Sequence, residues 1–424
     1  MASNWKLRFF TIWIGQAFSL FGSSLAGFAL IWWLTQETGS ATVLAIGTLI
    51  TLLPGVLIGP LAGTLVDRWN RRTIMIVADS SAALAALALV FLFWFGAITV
   101  WQIYLVMFIR SLAGAFHFPA MQASTSLMVP DEQLTRVAGM NHMLQGGSSI
   151  AAPALAALLI AFLPMPAMML IDVLTALVAV TTLALVQIPQ PVRAATTEAT
   201  SVVREMLDGL RYIWEWPGLR AVTIFATVLN LMLTPAFALL PILVTRHFEG
   251  GALDLAALQA VEGGGIIAGG VLLSIWGGFR RKILTSLSGL IGLGIGSLAV
   301  GLAPAGLFPL ALIGMMIMGF TMPLTNGPFM AIVQSVVRPS MQGRVFTVIG
   351  SMAMGLAPLG LAVAGPIADS FGVQIWYLIG AIATFVILII FVTTPAIMQI
   401  EDRRDTGDPV SEEPAPNFQK HVVS

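Results

Sequence analysis

Along this 424-residue chain the apolar positions fall in long continuous runs, with short polar breaks between them. A lipid-facing strand would alternate apolar and polar residues, and these runs do not. Each is close to the roughly 20 residues that a helix needs to cross the hydrocarbon core of a bilayer. We read twelve crossings, at 8–34, 42–66, 73–95, 99–122, 136–163, 166–188, 219–246, 256–279, 283–303, 307–331, 343–368 and 373–396. Within lipid the backbone must pair with itself, so such runs fold as helices. The first run is too long for a cleaved signal sequence, which predicts that it is retained.

The longest break, 189–218, carries Pro189, Pro191, several threonines and charges of both signs. It divides the chain into an N-terminal six-helix bundle, 1–188, and a C-terminal one, 219–400. The remainder, 401–424, is polar with three prolines and reads as a disordered cytoplasmic tail. Inside the break Val203, Met206, Leu207, Leu210 and Trp214 recur at helical spacing opposite Arg204, Glu205, Asp208, Arg211 and Glu215. That pattern predicts an amphipathic helix, either lying on the membrane surface or serving as a soluble connector. The halves look like copies: Arg71-Arg72 recurs as Arg280-Arg281 at an offset of 209, and Thr135-Arg136-Val137 as Gly343-Arg344-Val345 at 208.

Composition agrees with the pattern. The chain is 58% hydrophobic and 9% charged, more apolar than the roughly 45–50% of soluble domains. Placing the N-terminus inside puts 18 of the 20 Lys and Arg in cytoplasmic segments, with only Arg246 outside and only Arg110 in the membrane. The positive-inside rule therefore predicts that both termini are cytoplasmic. Zero net charge gives no reason to expect nucleic acid as a partner, and zero cysteines exclude disulfides and thiolate metal sites. The only lysines are Lys6, Lys282 and Lys420, so no phosphate-binding loop is present, and the four histidines lack metal-ligand spacing. We expect no enzyme, no metal and no cofactor.

One charged turn stands out: Gly63-Thr-Leu-Val-Asp67-Arg68-Trp-Asn70-Arg71-Arg72. It resembles the loop between the second and third helices of the major facilitator superfamily, Gly-x-Leu-x-Asp-Arg-x-Gly-Arg-Lys/Arg. Asn70 replaces the second glycine, and asparagine tolerates the left-handed backbone such a turn often needs. In the second half Trp276 stands where Asp67 would recur, so a switching role of that acid belongs to the first half. In the fourth crossing Arg110-Ser-Leu-Ala-Gly114 resembles the family's Arg-x-x-x-Gly core, with Ala113 in place of its common glutamine. In the fifth, Ser148-x-x-x-Ala152-Pro153-x-x-Ala156-Ala157 resembles a degraded form of its antiporter motif, with Pro153 permitting a bend. Leu65-Val-Asp67-Arg68, Ala78-Asp79, Val129-Pro130-x-Glu132-x-Leu134-Thr135-Arg136 and Ile171-Asp172-Val173 are similar to bacterial macrolide-efflux-type permeases.

The resemblance implies two parallel six-helix halves around a midplane site, in the bacterial cytoplasmic membrane. It implies export of hydrophobic or amphipathic small molecules by proton antiport, the proton gradient supplying the energy and a monomer doing the work in the bilayer. Gly63, Asp67, Arg68, Arg71, Arg72 and Pro153 would form the conformational switch, Asp67 and Arg71 latching the cytoplasmic side in the outward-open state. Exporters of one metabolite such as a siderophore, and lysophospholipid translocators, share these motifs; a non-transporting sensor is the remaining alternative.

The residues themselves add candidates. Arg110 sits roughly 17 Å from the outer end of its helix at 1.5 Å per residue, and burying its charge is expensive without a partner or cavity. It could act in transport or as a polar clamp, with Gln16 as a hydrogen-bond partner. Asp79, Asp172 and Glu262 are intramembrane carboxylates, the kind of group a proton gradient can load and unload. We expect Glu262, followed by Gly263-Gly264-Gly265, as the proton carrier unless it is simply hydrated; Arg110, Asp79 and Asp172 are the other proton-coupling candidates, the two aspartates having a structural role as their favoured alternative. The helices the resemblance places on the cavity carry Gln16, Phe21, His117, Asn230, Phe237, Met318, Met322 and Asn326, an aromatic and methionine-rich set suited to varied ligands.

Overall fold

The computed structural model describes residues 5–189 and 202–401. The expected tail and the first part of the linker lie outside the described residues. Twelve helices are long and apolar enough to cross a membrane among those described.

The first half contains α1 (Trp5–Thr38), α2 (Ala41–Arg68), α3 (Arg71–Trp94), α4 (Val100–Met128), α5 (Asp131–Ile160) and α6 (Met165–Leu185). A linker helix, α7 (Val202–Glu215), precedes the second half. There, α8 (Pro217–Ala238) continues through α9 (Leu240–Ile242) into a π-helical turn, Leu243–His247. Next come α10 (Ala252–Trp276), α11 (Lys282–Gly301) and α12 (Phe308–Val336). The eleventh crossing is broken at Leu356 into α13 (Pro339–Gly355) and α14 (Ala357–Phe371), and α15 (Gln374–Thr393) and the short α16 (Pro395–Met398) close the chain. The break falls in the stretch Gly355 to Pro358, where a missing backbone donor and a missing side chain weaken the helix.

We call the side bearing the 68–71 turn and α7 the linker face, and the other the distal face. In the first half α1 packs on α5 and α6, α3 on α4 and α6, and α2 on α4. In the second, α12 packs on α10 and α11, and α15 on α11 and α8. The halves meet where α2 packs on α14 and α5 on α10. Lipid gives helices no hydrophobic reason to associate, so close approach over small residues carries much of the packing. A Cβ on Gly296 would lie 2.6 Å from the carbonyl of Gly314, and one on Gly314 2.7 Å from that of Gly296, so α11 and α12 cross backbone against backbone. Of the glycines after Glu262, Gly265 acts in the same way: α10 is continuous there, and a Cβ on Gly265 would stand 2.6 Å from the Met316 carbonyl of α12, whereas Gly264 faces open space.

The helix α7 lies against α13. Ile213 is fully buried, and with Leu219, Val333, Val345 and Val348 it forms a small core, while Leu210 packs on its edge. Leu207 and Trp214 remain exposed. Arg344 reaches Asp208 at 3.4 Å.

The first charged turn departs from the expected backbone. Asn70 has φ −70° and ψ 111°, outside the left-handed region, and its side chain accepts from Thr73 N at 3.2 Å as the N-cap of α3. Capping, not left-handed geometry, is what asparagine contributes there. The corresponding turn after α10 does use glycine for left-handed backbone, at Gly277 (φ 75°) and Gly278 (φ 82°).

Candidate functional site

A cavity of about 660 Å³ is lined by α1, α3, α4 and α5 of the first half. It runs from Ser23 and Arg110, near the middle of their helices, to Thr125 and Leu134 at the linker-face ends of α4 and α5. Trp13, Leu20, Ala113, Phe118, Met121 and Leu144 make most of its wall apolar. Gln16, Ser19 and Ser23 recur at i, i+3 and i+7 on α1, and Arg110, Gly114 and His117 at i, i+4 and i+7 on α4, so each set shares one helix face.

Behind these faces the outer helices α3 and α6 each supply one aspartate. Asp172 of α6, with 2% of its side chain exposed, pairs with Arg110. It also accepts a hydrogen bond from Ser23 Oγ at 2.9 Å, and Arg110 donates to the Ser23 carbonyl at 3.3 Å. Asp79 of α3 accepts from Gln16 Nε2 at 2.8 Å. Its other oxygen stands 3.4 Å from His117 Nε2, an ion-pair distance without hydrogen-bond alignment. The wall therefore carries two acid–base rungs, seven residues or roughly 10 Å apart along α4. Arginine holds its proton under all ordinary conditions, whereas histidine exchanges one near neutral pH. The His117 rung is the one nearer the linker face.

Several expectations change here. Gln16 binds Asp79, not Arg110, because Asp172 already occupies the guanidinium. Asp79 lines the cavity, and Asp172 stands directly behind its wall on Arg110. Glu262 is not among the lining residues, and its side chain has no hydrogen bond or ion pair among the described residues. Of the expected substrate contacts, Gln16 and His117 line the cavity. Phe21 and Phe237 pack on the apolar core, and Met318 is buried beside Gly296 of α11. Asn230 bonds its own helix at the Ala226 carbonyl, 3.0 Å away, while Met322 and Asn326 are exposed in α12. Sequence reasoning missed Ser23 and the pair Trp13 to Asn141, 2.7 Å apart, which ties α1 to α5. The i+7 recurrence of Gln16 and Ser23 on α1 was the available signal for Ser23.

The 68–71 turn is pinned by its arginines. Arg71 is buried and donates to the Ala123 carbonyl of α4 at 2.9 Å. Arg72 donates to Leu183 at 2.7 Å and also to Ala184, both at the carboxyl end of α6, where cations satisfy orphan carbonyls. Arg68 is exposed. The surroundings of Gly63 and the side chain of Asp67 lie outside what is described. Pro153 lies within α5, next to the buried Ala152 and Ala156.

The family model of the Major Facilitator Superfamily matches residues 12–359. This chain belongs to that superfamily. Macrolide efflux protein A of Streptococcus pyogenes is 36% identical over 94% of this chain and 98% of its own length. The multidrug efflux pump Tap of Mycobacterium bovis is 27% identical over 90% of this chain and 91% of its own. Among solved structures, a point mutant of the nucleoside transporter NupG superposes with a TM-score of 0.68 at 17% identity, covering 92% of this chain and 99% of that one. The protein is thus a transporter rather than an enzyme, and a multi-pass protein of the bacterial cytoplasmic membrane.

Proposed function

We propose that this protein exports hydrophobic or amphipathic small molecules of the macrolide type by proton antiport and alternating access. The positive-inside count predicts a cytoplasmic linker face, so the cavity end at Thr125 and Leu134 faces inward, and the contact of Asp369 with α2 closes the halves on the outside. The observation that carries the reading is the Gln16–Asp79–His117 cluster on an otherwise apolar cavity wall.

The chemistry follows from charge. Arg110 and Asp172 neutralise one another and hold their rung fixed. With a proton on His117, the imidazolium and the Asp79 carboxylate are also neutral as a pair. Once that proton leaves, Asp79 is an anion held only by Gln16, facing an apolar chamber where charge is poorly screened. An amphipathic cation then replaces the proton as its counter-ion, with the apolar wall taking up the rest of the molecule. Proton and substrate compete for one anionic site, which is the requirement for exchange. In the inward-open state the substrate displaces the proton to the cytoplasm; after the halves rock, an external proton displaces the substrate. His142 and Arg110 are the other ionisable groups on the cavity lining. The similarity to a macrolide efflux protein supports the substrate class.

The test uses proteoliposomes with an imposed pH gradient and an internal pH dye. Adding a macrolide should dissipate the gradient faster for the native protein, and Asp79→Asn, which removes the shared anion, should bind the macrolide more weakly and leave the gradient intact. Proton flux indifferent to every macrolide, dye and lysolipid tried would overturn the antiport reading.

A further inference from the structure

We propose that Asp369 is the outer latch of this transporter: a carboxylate of the second half that caps, across the interface, the first turn of α2 in the first half. The proposal rests on the alternating-access reading above and adds the residue that holds the inward-open state.

The first amides of any α-helix have no acceptor within it. At the distal start of α2, Ser40 serves as the N-cap and accepts from Val43 N at 3.3 Å. The amides of Ala41 and Thr42 donate instead to Asp369, to Oδ1 and Oδ2 respectively, each at 3.0 Å. The Thr42 hydroxyl donates to Oδ2 at 2.7 Å and the Ser40 hydroxyl at 3.3 Å. Four hydrogen bonds thus cross from half to half onto a single carboxylate, which also sits at the positive end of the α2 dipole. Within its own half Asp369 receives Arg246 at 3.0 Å, from the π-helical turn that extends α8.

Close approach of the two backbones makes the contact possible. Gly365 precedes Asp369 by one turn on α14, and a Cβ there would stand 2.8 Å from Thr42 N and press harder still on its Cα. Trp376 Nε1 donates to the Ala364 carbonyl at 3.1 Å and so ties this turn of α14 to α15. When the halves separate on the outside, the four bonds to α2 must break, while the Arg246 bond stays within one half. Arg246 therefore keeps the freed carboxylate neutralised and aimed for reclosure; it is a positioning residue. Both side chains are partly exposed, at 49% for Arg246 and 29% for Asp369, so water can replace the lost bonds. That keeps the latch reversible.

The experiment exploits the absence of cysteine. Phe95 and Leu302 end α3 and α11 on the distal face and are 77% and 61% exposed. Spin labels on Phe95→Cys and Leu302→Cys, read by double electron–electron resonance in lipid nanodiscs, report outer opening. Asp369→Ala should raise the ratio of long to short distances roughly tenfold, the effect of losing a helix cap with its charge. Gly365→Leu should do the same without touching the carboxylate, by wedging the backbones apart. Asp369→Asn should fall between, and Arg246→Gln should shift the ratio less than Asp369→Ala. If the native protein opens with a macrolide or at acid pH, and both Asp369→Ala and Gly365→Leu give its unchanged distribution, the latch is wrong. If no condition or variant lengthens the distance, alternating access itself fails, which is a different result.

Discussion

The Arg110–Asp172 rung allows its structural and functional roles to be separated. Both side chains are largely withdrawn from solvent, at 15% and 2% exposure. Removing one member of a buried ion pair costs about 3–5 kcal/mol, because the survivor is left charged and dry. The two single deletions should differ. Asp172→Asn leaves a guanidinium that cannot shed its proton, with neutral acceptors at the introduced amide and the Ser23 carbonyl but no compensating charge, so it should cost the full ~3–5 kcal/mol. Arg110→Met leaves a carboxyl that can take up a proton and keep its bond from Ser23, so the loss should be nearer ~2 kcal/mol. The double variant Arg110→Met/Asp172→Leu removes both charges and should recover most of the stability.

Apparent melting of purified protein, followed through the fluorescence of its 11 tryptophans, gives the order directly. The expected ranking is native, double variant, Arg110→Met, then Asp172→Asn. Export measured in cells then divides the roles. Stability restored without export would assign Arg110 to transport; restoration of both would make the rung a clamp. Asp172→Asn melting with the native protein, or the double variant melting below both singles, would refute the reasoning about uncompensated charge.

The remaining predictions concern coupling, packing and the switch turn. On the proposed antiport, His117→Gln should flatten the dependence of the initial export rate on internal pH, since it removes the imidazole beside Asp79; an unchanged profile in proteoliposomes would exclude His117 from coupling. Gly296→Ala should lower the apparent melting temperature by the equivalent of about 1–3 kcal/mol, because its Cβ would lie 2.6 Å from the Gly314 carbonyl and α11 and α12 must part. Native melting would show that the crossing is looser than described. Asp67→Asn should slow export at unchanged expression and shift the outer spin-label distance toward the closed value, opposite in sign to Asp369→Ala.

The crossings were legible because continuous apolar runs leave lipid no other solution, and most boundaries fall within a few residues of those expected. The fourth helix shows why the misses occur. Its sequence turns polar at Gln122, Ser124, Thr125 and Ser126, which ended the expected crossing at 122, yet α4 continues to Met128. Ser124 and Thr125 return their hydroxyls to the Ala120 and Met121 carbonyls of their own helix, while Gln122, Thr125 and Ser126 line the cavity. Polar residues there mark a wet wall rather than the end of a span. Partner choice was not legible. The crossings α3 and α6 have no strong polar face to show where Asp79 and Asp172 point, and only the packing of α3 on α4 and of α6 on α1 brings the two acids to His117 and Arg110.

The opposite signs predicted for Asp67 and Asp369 follow from where each acid sits on its own helix. Asp369 lies in the last turn of α14 and Asp67 in the last turn of α2. A carboxylate there faces the negative end of its own helix dipole, which disfavours it by about 0.3–1 kcal/mol. Each therefore gains when the amino end of another helix approaches. For Asp369 that amino end belongs to α2, and the contact exists when the halves are closed on the distal face. On the linker face, across the interface, α8 and α13 both begin, and both touch α2. The same two crossings thus supply an acid to each face, and an acid satisfied by closure on one face has nothing to offer closure on the other. If both carboxylates act this way, Asp67→Asn and Asp369→Ala combined should return the outer distance distribution toward the native one, whereas two acids with unrelated roles would leave the Asp369→Ala shift intact.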